Sequence, residues 1–439
     1  MKNLLLPILG ALFCHVLPAQ TPYISYMTGD PADVAAAPRG GIVLMGGAGE
    51  VDNAMRWFLE QSGGGDILVL RASGSNGYND YLYDELGESV NSVETIVTPS
   101  QAAADHPYVI QQIYNAEALW IAGGDQANYV DFWKDGPVED AIRYLIHVKK
   151  APVGGLSAGM AIQGDAYFSA MNGTVLSAEA LADPYAPEMT IGYGDFLDHP
   201  ILKDVITDTH YDDPDRRGRH LAFLGRLAED YGIRAKGIAC EEYVAVCIDT
   251  LGIAHVYGNY PNEPDFAWFV QTNCAGDDFS PETCQPGQPL NWVRNNAAVL
   301  ALRVSARPDG ANTFDLNDWK TFSGTDPSYW TNWYSADGTF TATWPGTEPD
   351  CATAAPEPVE TPALRIWPVP ADEVLYTAFE GLEGPADLVV ADMLGRVVLH
   401  TTVADGRGEI NVGGLEKGVY AVMARGWKGV VYALPFVVK

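Results

Sequence analysis

The sequence of 439 residues is 47% hydrophobic, which suits two or three domains of roughly 100–200 residues each and a sizeable core. Its formal net charge of -31 disfavours nucleic acids and anionic membranes as partners, because a polyanionic surface repels phosphate groups. The acidic surface is compatible with a cationic substrate, but a simple role in solubility is the favoured interpretation.

Residues 1–20 have the layout of a secretory signal peptide. One lysine precedes an apolar run of about ten residues, and small or polar residues follow it. The run is too short to cross a bilayer, which takes about 20 apolar residues, and no later segment stays apolar long enough. The sequence therefore predicts an exported protein, secreted or held at the cell surface, without an integral membrane segment.

Residues 21–344 are predicted to form one catalytic domain. Apolar strands alternate with amphipathic helices; the strands are at 41–45, 66–70 and 118–121, and the helices are at 51–61 and 138–148. This alternation is typical of βαβ units. We therefore expect an α/β fold, a three-layer α/β/α domain with a mainly parallel sheet and helices on both faces.

Two glycine-bounded loops follow predicted strands in this domain. In the segment 155–159, Gly-Leu-Ser-Ala-Gly, Ser157 lies where a strand turns into a helix. Such a turn exposes the hydroxyl, and the helix N-terminus favours developing negative charge, so Ser157 is the predicted nucleophile. The same pattern also occurs as a purely structural turn. The second loop, residues 122–126, could supply oxyanion donors together with the backbone N–H of Ala158.

A serine nucleophile needs a base and an orienting acid. His210 follows the β-rich run 205–207 and is the predicted base, with His220 on a predicted helix as its rival. Glu242 interrupts an apolar strand and is the predicted acid; Glu241 is the alternative, since alternation along a strand lets only one of them face the site. The chain order Ser, His, Glu disfavours an esterase of the common α/β-hydrolase type.

The region after residue 258 changes in composition. Residues 262–295 are rich in Trp, Asn, Asp, Pro and Gly and are predicted to be an insertion near the sheet edge, closed by a Cys274–Cys284 disulfide. No cysteine spacing predicts a zinc site, and we expect no metal or cofactor. Residues 345–362 form a Pro-, Glu- and Thr-rich linker, and residues 363–439 are predicted to fold as a small all-β sandwich.

The motifs of the catalytic domain resemble the cyanophycinase and aspartyl dipeptidase family of serine peptidases, which have a class I glutamine-amidotransferase-like fold. The matching segments are 123–126 (Gly-Gly-Asp-Gln), 155–159, 208–211 (Asp-Thr-His-Tyr), 216–219 and 237–242. The resemblance implies a catalytic triad, two oxyanion donors and a substrate pocket. The implied triad is Ser157, His210 and Glu242, and the implied oxyanion donors are Gly124 and Ala158. The implied pocket residues are Gln126, Asp208, Arg216 and Arg219. Thr209 and Tyr243 stand where cyanophycinases often have Gln and Asn.

The small β domain resembles the C-terminal sorting domain of type IX secretion substrates. The resemblance lies in segments 367–371, 392–398 and 415–420, although Trp367 replaces the usual Asn. It implies the type IX secretion machinery as a partner and export across an outer membrane. A carbohydrate- or protein-binding sandwich is the alternative.

Two interpretations of function remain open from the sequence. The first is a secreted serine exopeptidase that acts on Asp-containing peptides or on a cyanophycin-like β-Asp-Arg polymer. The second is a non-catalytic surface binding or adhesion protein on a degenerate hydrolase fold, with the aromatic stretch 319–344 as its contact surface. A glutamine-amidotransferase-like activity is disfavoured because no cysteine lies near Ser157. The oligomeric state stays undetermined, and a homodimer is compatible with the sequence.

Overall fold

The computed structural model describes residues 21–34, 36–326, 328–350, 363–367, 371, 373–380, 386–392, 397–403, 407–426 and 431–438. The predicted signal peptide and most of the predicted linker lie outside these residues. Among the described residues, no helix combines the length and apolar character that crossing a membrane requires.

The helices are α1 (Asp52–Gln61), α2 (Gln101–Ala104), α3 (Pro107–Asn115), α4 (Gln126–Trp133), α5 (Pro137–Tyr144), α6 (Ala158–Ala161), α7 (Ser177–Ala182) and α8 (Arg217–Tyr231). Shorter helical turns lie at Tyr81–Glu85, Leu145–Lys149, Pro200–Leu202 and Arg294–Asn296.

The strands before the predicted linker are β1 (Ile24–Gly29), β2 (Ile42–Met45), β3 (Asp66–Arg71), β4 (Ser92–Val97), β5 (Ala118–Ile121), β6 (Val153–Leu156), β7 (Ala166–Phe168), β8 (Ile191–Tyr193), β9 (Val205–Asp208), β10 (Lys236–Cys240), β11 (Ala245–Ile248), β12 (Ile253–Tyr257), β13 (Phe266–Thr272), β14 (Val299–Ser305), β15 (Thr313–Asp315), β16 (Phe322–Ser323), β17 (Tyr329–Ala336) and β18 (Thr339–Thr343). Those after it are β19 (Ala363–Trp367), β20 (Val374–Glu380), β21 (Ala386–Asp392), β22 (Val397–Val403), β23 (Arg407–Asn411), β24 (Gly418–Gly426) and β25 (Val431–Val438).

The α/β region contains two mixed sheets rather than one mainly parallel sheet. Within the described residues, sheet A has the strand order β1-β4-β3-β5-β6-β2-β11-β12-β15-β16, and sheet B has the order β18-β17-β14-β13-β10-β9-β7-β8. Parallel pairs run from β4 to β2 in sheet A and from β10 to β7 in sheet B. Several of the later strands follow one another through short turns, which bring antiparallel neighbours together.

Alternation along the strands of sheet A directs side chains to both faces. Leu68 and Leu70 of β3 pack with residues of α3, α4 and α5, whereas Ile67 and Val69 pack with residues of α1. The parallel part of sheet A therefore has helices on both faces. Sheets A and B share one apolar cluster that includes residues of β2, β10, β11 and β13.

Two sequence predictions about residues 262–295 are wrong. Residues Phe266–Thr272 do not belong to an edge insertion but form β13, a strand between β10 and β14. Their nearly continuous apolar run suits a strand that is buried on both faces. Cys284 is a free, buried thiol, so no Cys274–Cys284 disulfide forms, although Cys274 is disulfide-bonded.

The C-terminal strands form two small antiparallel sheets. Their strand orders are β19-β20-β23 and β22-β21-β24-β25. Both sheets contribute to one core, in which Leu375, Leu388, Val422 and Phe436 are buried. This agrees with the sandwich predicted from the short alternating strands.

Candidate active site

Ser157 lies on a sharp turn between β6 and α6. Its φ of 53° is a conformation that residues other than glycine rarely adopt. The turn is held by hydrogen bonds from Ser157 N to Met45 O (2.9 Å) and from Ala161 N to Ser157 O (2.9 Å). Such local strain persists only where the surrounding structure enforces it, and it is common at active sites.

The two glycines that flank Ser157 permit this turn because backbone atoms approach closely there. A Cβ atom on Gly155 would lie 2.8 Å from the Cα of Gly159. A Cβ atom on Gly159 would lie 2.7 Å from the carbonyl carbon of Ile121. Both distances are below those of real Cβ contacts, so the structure requires glycine at both positions.

His210 follows the carboxyl end of β9 and connects the other two predicted triad residues. Its Nε2 lies 2.8 Å from Ser157 Oγ, and its Nδ1 lies 2.6 Å from Glu242 Oε1. We assign the proton to Nδ1, because an ionised carboxylate can only accept and Nε2 is then free to accept from the serine hydroxyl. The structure therefore brings the three side chains together in one hydrogen-bonded chain.

Glu242 lies in the turn between β10 and β11, which belong to different sheets. The prediction that Glu242 lies within one apolar strand is therefore wrong, because the strand ends at Cys240 and the chain turns into the other sheet. The neighbouring Glu241 points in another direction and accepts hydrogen bonds from Phe266 N and Trp268 Nε1, both at 2.8 Å. Burial raises the pKa of Glu241 to about 7. Glu242, not Glu241, contacts the imidazole.

The loop after β2, which the sequence analysis did not single out, packs against His210. Gly46 O accepts from His210 N at 3.0 Å, and Gly47 O accepts from Tyr243 N at 3.1 Å. A Cβ atom on Gly47 would lie 2.9 Å from His210 Nδ1 and closer still to Cε1 and Nε2. The glycine-rich run 46–49 after a buried strand is the signal that could have identified this loop.

The predicted oxyanion donors flank Ser157. A Cβ atom on Gly123 would lie 3.6 Å from the Cβ of Ser157, so this glycine loop borders the nucleophile. The Tyr129 hydroxyl donates to Ala122 O at 2.8 Å and thereby holds the loop. Within the described part of the chain, neither Gly124 N–H nor Ala158 N–H has a protein acceptor. Both groups are therefore available to a substrate oxygen.

Two of the predicted substrate contacts are buried instead. Arg219 donates to both carboxylate oxygens of Asp208, and both side chains are only 3% exposed. Burial alone would raise the pKa of Asp208, but the Arg219 guanidinium outweighs it and holds that pKa below its usual value. Asp208 Oδ1 also accepts from Thr209 N at 2.8 Å. In this structure the pair is buried and supports the segment that carries His210.

Arg216 and Gln126 are half-buried. Arg216 Nη1 donates to Thr209 O at 2.9 Å, and among the described residues its guanidinium has no carboxylate partner. Burial and the neighbouring Arg219 lower the pKa of Arg216 to about 10. Gln126 is the first residue of α4. Of the four predicted pocket residues, these two can reach a substrate without breaking an ion pair.

His220, the alternative base, is fully buried in α8. A Cβ atom on Gly237 would lie 3.2 Å from its Cδ2, so the ring packs against β10 rather than facing Ser157. Burial lowers the pKa of His220 to about 4. Among the described residues, no group of three or more His, Cys, Asp or Glu side chains is arranged to hold a metal ion.

Comparison with known proteins places this geometry in context. The chain is 27% identical over 141 residues to a cyanophycinase of Geminocystis herdmanii (strain PCC 6308), covering 31% of this chain and 48% of that protein. It is 21% identical over 196 residues to a cyanophycinase of Synechococcus elongatus, covering 43% of this chain and 56% of that protein. The chain thus spans about half the length of these curated relatives.

A solved peptidase from an acI-B1 Actinobacterium is 14% identical, with a TM-score of 0.38 over 53% of this chain and 95% of that chain. This score is too low to support an argument about the site. Residues 365–433 match the family model of the secretion system C-terminal sorting domain. The predicted resemblances are therefore confirmed: the chain is similar to cyanophycinases and carries a secretion system C-terminal sorting domain.

Proposed function

We propose that this chain is an exported serine peptidase that hydrolyses Asp-containing peptides or a β-Asp-Arg polymer through a Ser-His-Glu triad. The observation that carries the proposal is the continuous hydrogen-bonded path from Ser157 through His210 to Glu242. Its support in sequence is the similarity to proteins named cyanophycinase. No metal or cofactor is needed for this chemistry.

In the acylation step, Ser157 Oγ attacks the carbonyl carbon of the scissile amide while its proton passes to His210 Nε2. Glu242 stabilises the imidazolium that forms, and the N–H groups of Gly124 and Ala158 hold the new oxyanion. Collapse of this tetrahedral species breaks the C–N bond, and the amine leaves with the proton from Nε2. The acyl group then remains on Ser157 as an ester.

In the deacylation step, water attacks the ester carbonyl while His210 Nε2 takes one water proton. The second tetrahedral species expels Ser157 Oγ, which recovers that proton, and the product leaves as a carboxylic acid. Arg216 is the proposed contact for a substrate carboxylate, because a guanidinium without an ion-pair partner can form a bidentate contact. Gln126, the first residue of α4, is the proposed uncharged contact for the substrate.

The sorting domain supports export by the type IX secretion machinery to the cell surface or beyond. The substrate would then be an extracellular peptide or polymer, met after export. The three residues of the proposed triad all lie before residue 243 and thus outside the C-terminal domain.

The decisive test compares Ser157→Ala with Ser89→Ala in the full chain, incubated with β-Asp-Arg polymer and with α-Asp dipeptides. Ser89 is exposed and far along the chain from the triad, which makes it the matched control. We expect Ser157→Ala to lose hydrolysis and labelling by a fluorophosphonate probe, with its melting temperature unchanged, while Ser89→Ala keeps both. Full activity or labelling of Ser157→Ala would overturn the triad, and absence of both in the native chain would favour a binding protein.

A further inference from the structure

A row of paired residues crosses sheet B from the triad to the far edge. In the strand register, Asp208 pairs with Ala239, Ala239 with Trp268, Trp268 with Arg303, and Arg303 with Tyr329. Directly paired residues share one face of a sheet. We define Trp268, Arg303 and Tyr329 as the aromatic-arginine row. His210 lies two residues after Asp208, the residue of β9 from which this line of strand pairs starts.

The turn that carries Glu242 also joins this row to the triad. Glu242 contacts His210, whereas the adjacent Glu241 accepts hydrogen bonds from Trp268 Nε1 and Phe266 N. Neighbouring strands lie about 4.8 Å apart, so Arg303 and Tyr329 lie about 14 and 19 Å from β9. An extended peptide advances about 3.3 Å per residue, so this separation corresponds to about four to six residues.

Arg303 is a cation held on aromatic rings rather than by an acid. Its guanidinium carbon lies 4.0 Å from the ring centroid of Phe266 and 5.3 Å from that of Tyr329. Its Nη2 donates to the Tyr329 hydroxyl at 2.8 Å. Among the described residues no carboxylate lies within ion-pair distance of it, although the chain as a whole carries a net charge of -31. Its remaining donors are therefore free to bind a carboxylate.

An exposed aromatic side chain extends the row at its outer end. Trp344 is 68% exposed, and its ring contacts that of Tyr329 with centroids 5.7 Å apart. At the inner end, the Arg217 guanidinium lies 5.8 Å from the Trp268 ring while it pairs with Asp215. Trp268 is buried and Arg217 is paired with Asp215, so the accessible part of the site is Arg303 with Tyr329 and Trp344. There the unpaired positive charge lies beside exposed aromatic surface, which complements a peptide that carries acidic side chains.

We propose that the aromatic-arginine row is an extended subsite for an acidic polypeptide, binding a substrate carboxylate about four to six residues from the scissile bond. The proposal deepens the proposed peptidase function and rests on it. It assigns Tyr329 and Trp344 of the aromatic stretch 319–344 to substrate binding, whereas Trp319, Trp330 and Trp333 of that stretch are buried in the core. Because the row lies beyond the reach of a dipeptide, it favours long substrates over short ones.

Binding is tested first, in full-length Ser157→Ala, so that turnover does not interfere. Calorimetry with a capped hexa-aspartate peptide, and with hexa-lysine of the same length, reports affinity. We expect Arg303→Gln in this background to weaken hexa-aspartate binding about tenfold, because a charge-assisted contact is lost. Arg39→Gln, which removes an exposed arginine outside the row, should leave the affinity unchanged. Trp344→Ala, which alters only an exposed ring, should weaken binding about threefold.

The subsite proposal is overturned if Arg303→Gln and Trp344→Ala bind hexa-aspartate as tightly as the parent does. It is also overturned if the parent binds hexa-lysine more tightly than hexa-aspartate. Kinetics then separate this result from a failure of the proposed function. With Ser157 intact, Arg303→Gln should lower kcat/KM about tenfold for hexa-aspartate and leave it unchanged for di-aspartate. If the native chain hydrolyses neither of these peptides nor the β-Asp-Arg polymer, the peptidase role falls, and with it the role of the row as a substrate subsite, whatever the binding data show.

Discussion

Replacing Gly47 with alanine tests whether the backbone of the β2 loop positions His210. The added Cβ would lie 2.9 Å from Nδ1 and nearer to Cε1 and Nε2, whereas ordinary contacts begin at 3.4 Å. The imidazole must therefore move by about 1 Å. A displacement of that size in a catalytic group costs about 100-fold in rate, so we expect kcat/KM to fall about 100-fold.

Part of the effect of Gly47→Ala is backbone strain, since the φ of Gly47 is 136°. Strain of this kind costs on the order of 1–3 kcal/mol of stability. Gly173→Ala is the matched control, because Gly173 has a φ of 96° and its Cβ would meet no atom within 4 Å. Both variants should lower the melting temperature, but only Gly47→Ala should lower kcat/KM and fluorophosphonate labelling. Normal kcat/KM in Gly47→Ala would refute the argument that this loop fixes the imidazole.

Two further predictions concern stability. Replacing Arg219 by Met leaves the buried Asp208 without its cation, so we expect the free energy of unfolding to fall by about 3–5 kcal/mol. Urea denaturation measures this change, and a fall below about 1 kcal/mol would contradict a buried ion pair. Glu241 has a pKa raised to about 7 in the folded chain, so the folded state holds this proton more tightly than the unfolded state. Its contribution to stability is therefore complete below about pH 4.5 and is lost as the pH rises to about 7, on the order of 3 kcal/mol. Between pH 4.5 and 8 the free energy of unfolding should fall by about 3 kcal/mol more in the native chain than in Glu241→Gln, since the buried Glu139 carboxyl, whose pKa is also raised to about 7, titrates in both.

The sequence predicted the three side chains of the proposed triad, which the structure joins by hydrogen bonds, because each follows from local chemistry. Ser157 is bounded by glycines at a strand-to-helix turn, and His210 follows a β-rich run. Glu242 was selected because an acid inside an apolar segment has no place in a core. The sequence could not show in which direction each of the two adjacent carboxylates, Glu241 and Glu242, points. The strand to which both were assigned ends at Cys240. Strand alternation does not apply within a turn.

The failures have a common physical origin in long-range pairing. The run Phe266–Thr272 has the composition of a central strand, but the polar residues around it suggested an insertion. Cys274 and Cys284 are close in sequence, yet a disulfide depends on Cα separation and orientation, which spacing does not encode. Gly47 was missed because it has no side chain to suggest chemistry. Gly47 matters because the imidazole of His210 occupies the space that a side chain at position 47 would need.

The three side chains of the proposed triad meet where the chain passes between the two sheets. Ser157 follows β6 of sheet A, His210 follows β9 of sheet B, and Glu242 lies on the turn that leaves β10 of sheet B for β11 of sheet A. Sliding of one sheet against the other would therefore lengthen the Ser157–His210 hydrogen bond directly. The apolar cluster shared by both sheets, and the hydrogen bond of 2.8 Å from Thr207 Oγ1 to Met160 O that ties α6 to β9, oppose that movement. The packing between the sheets is thus part of what maintains the geometry of the site, because a close-packed core resists continuous deformation.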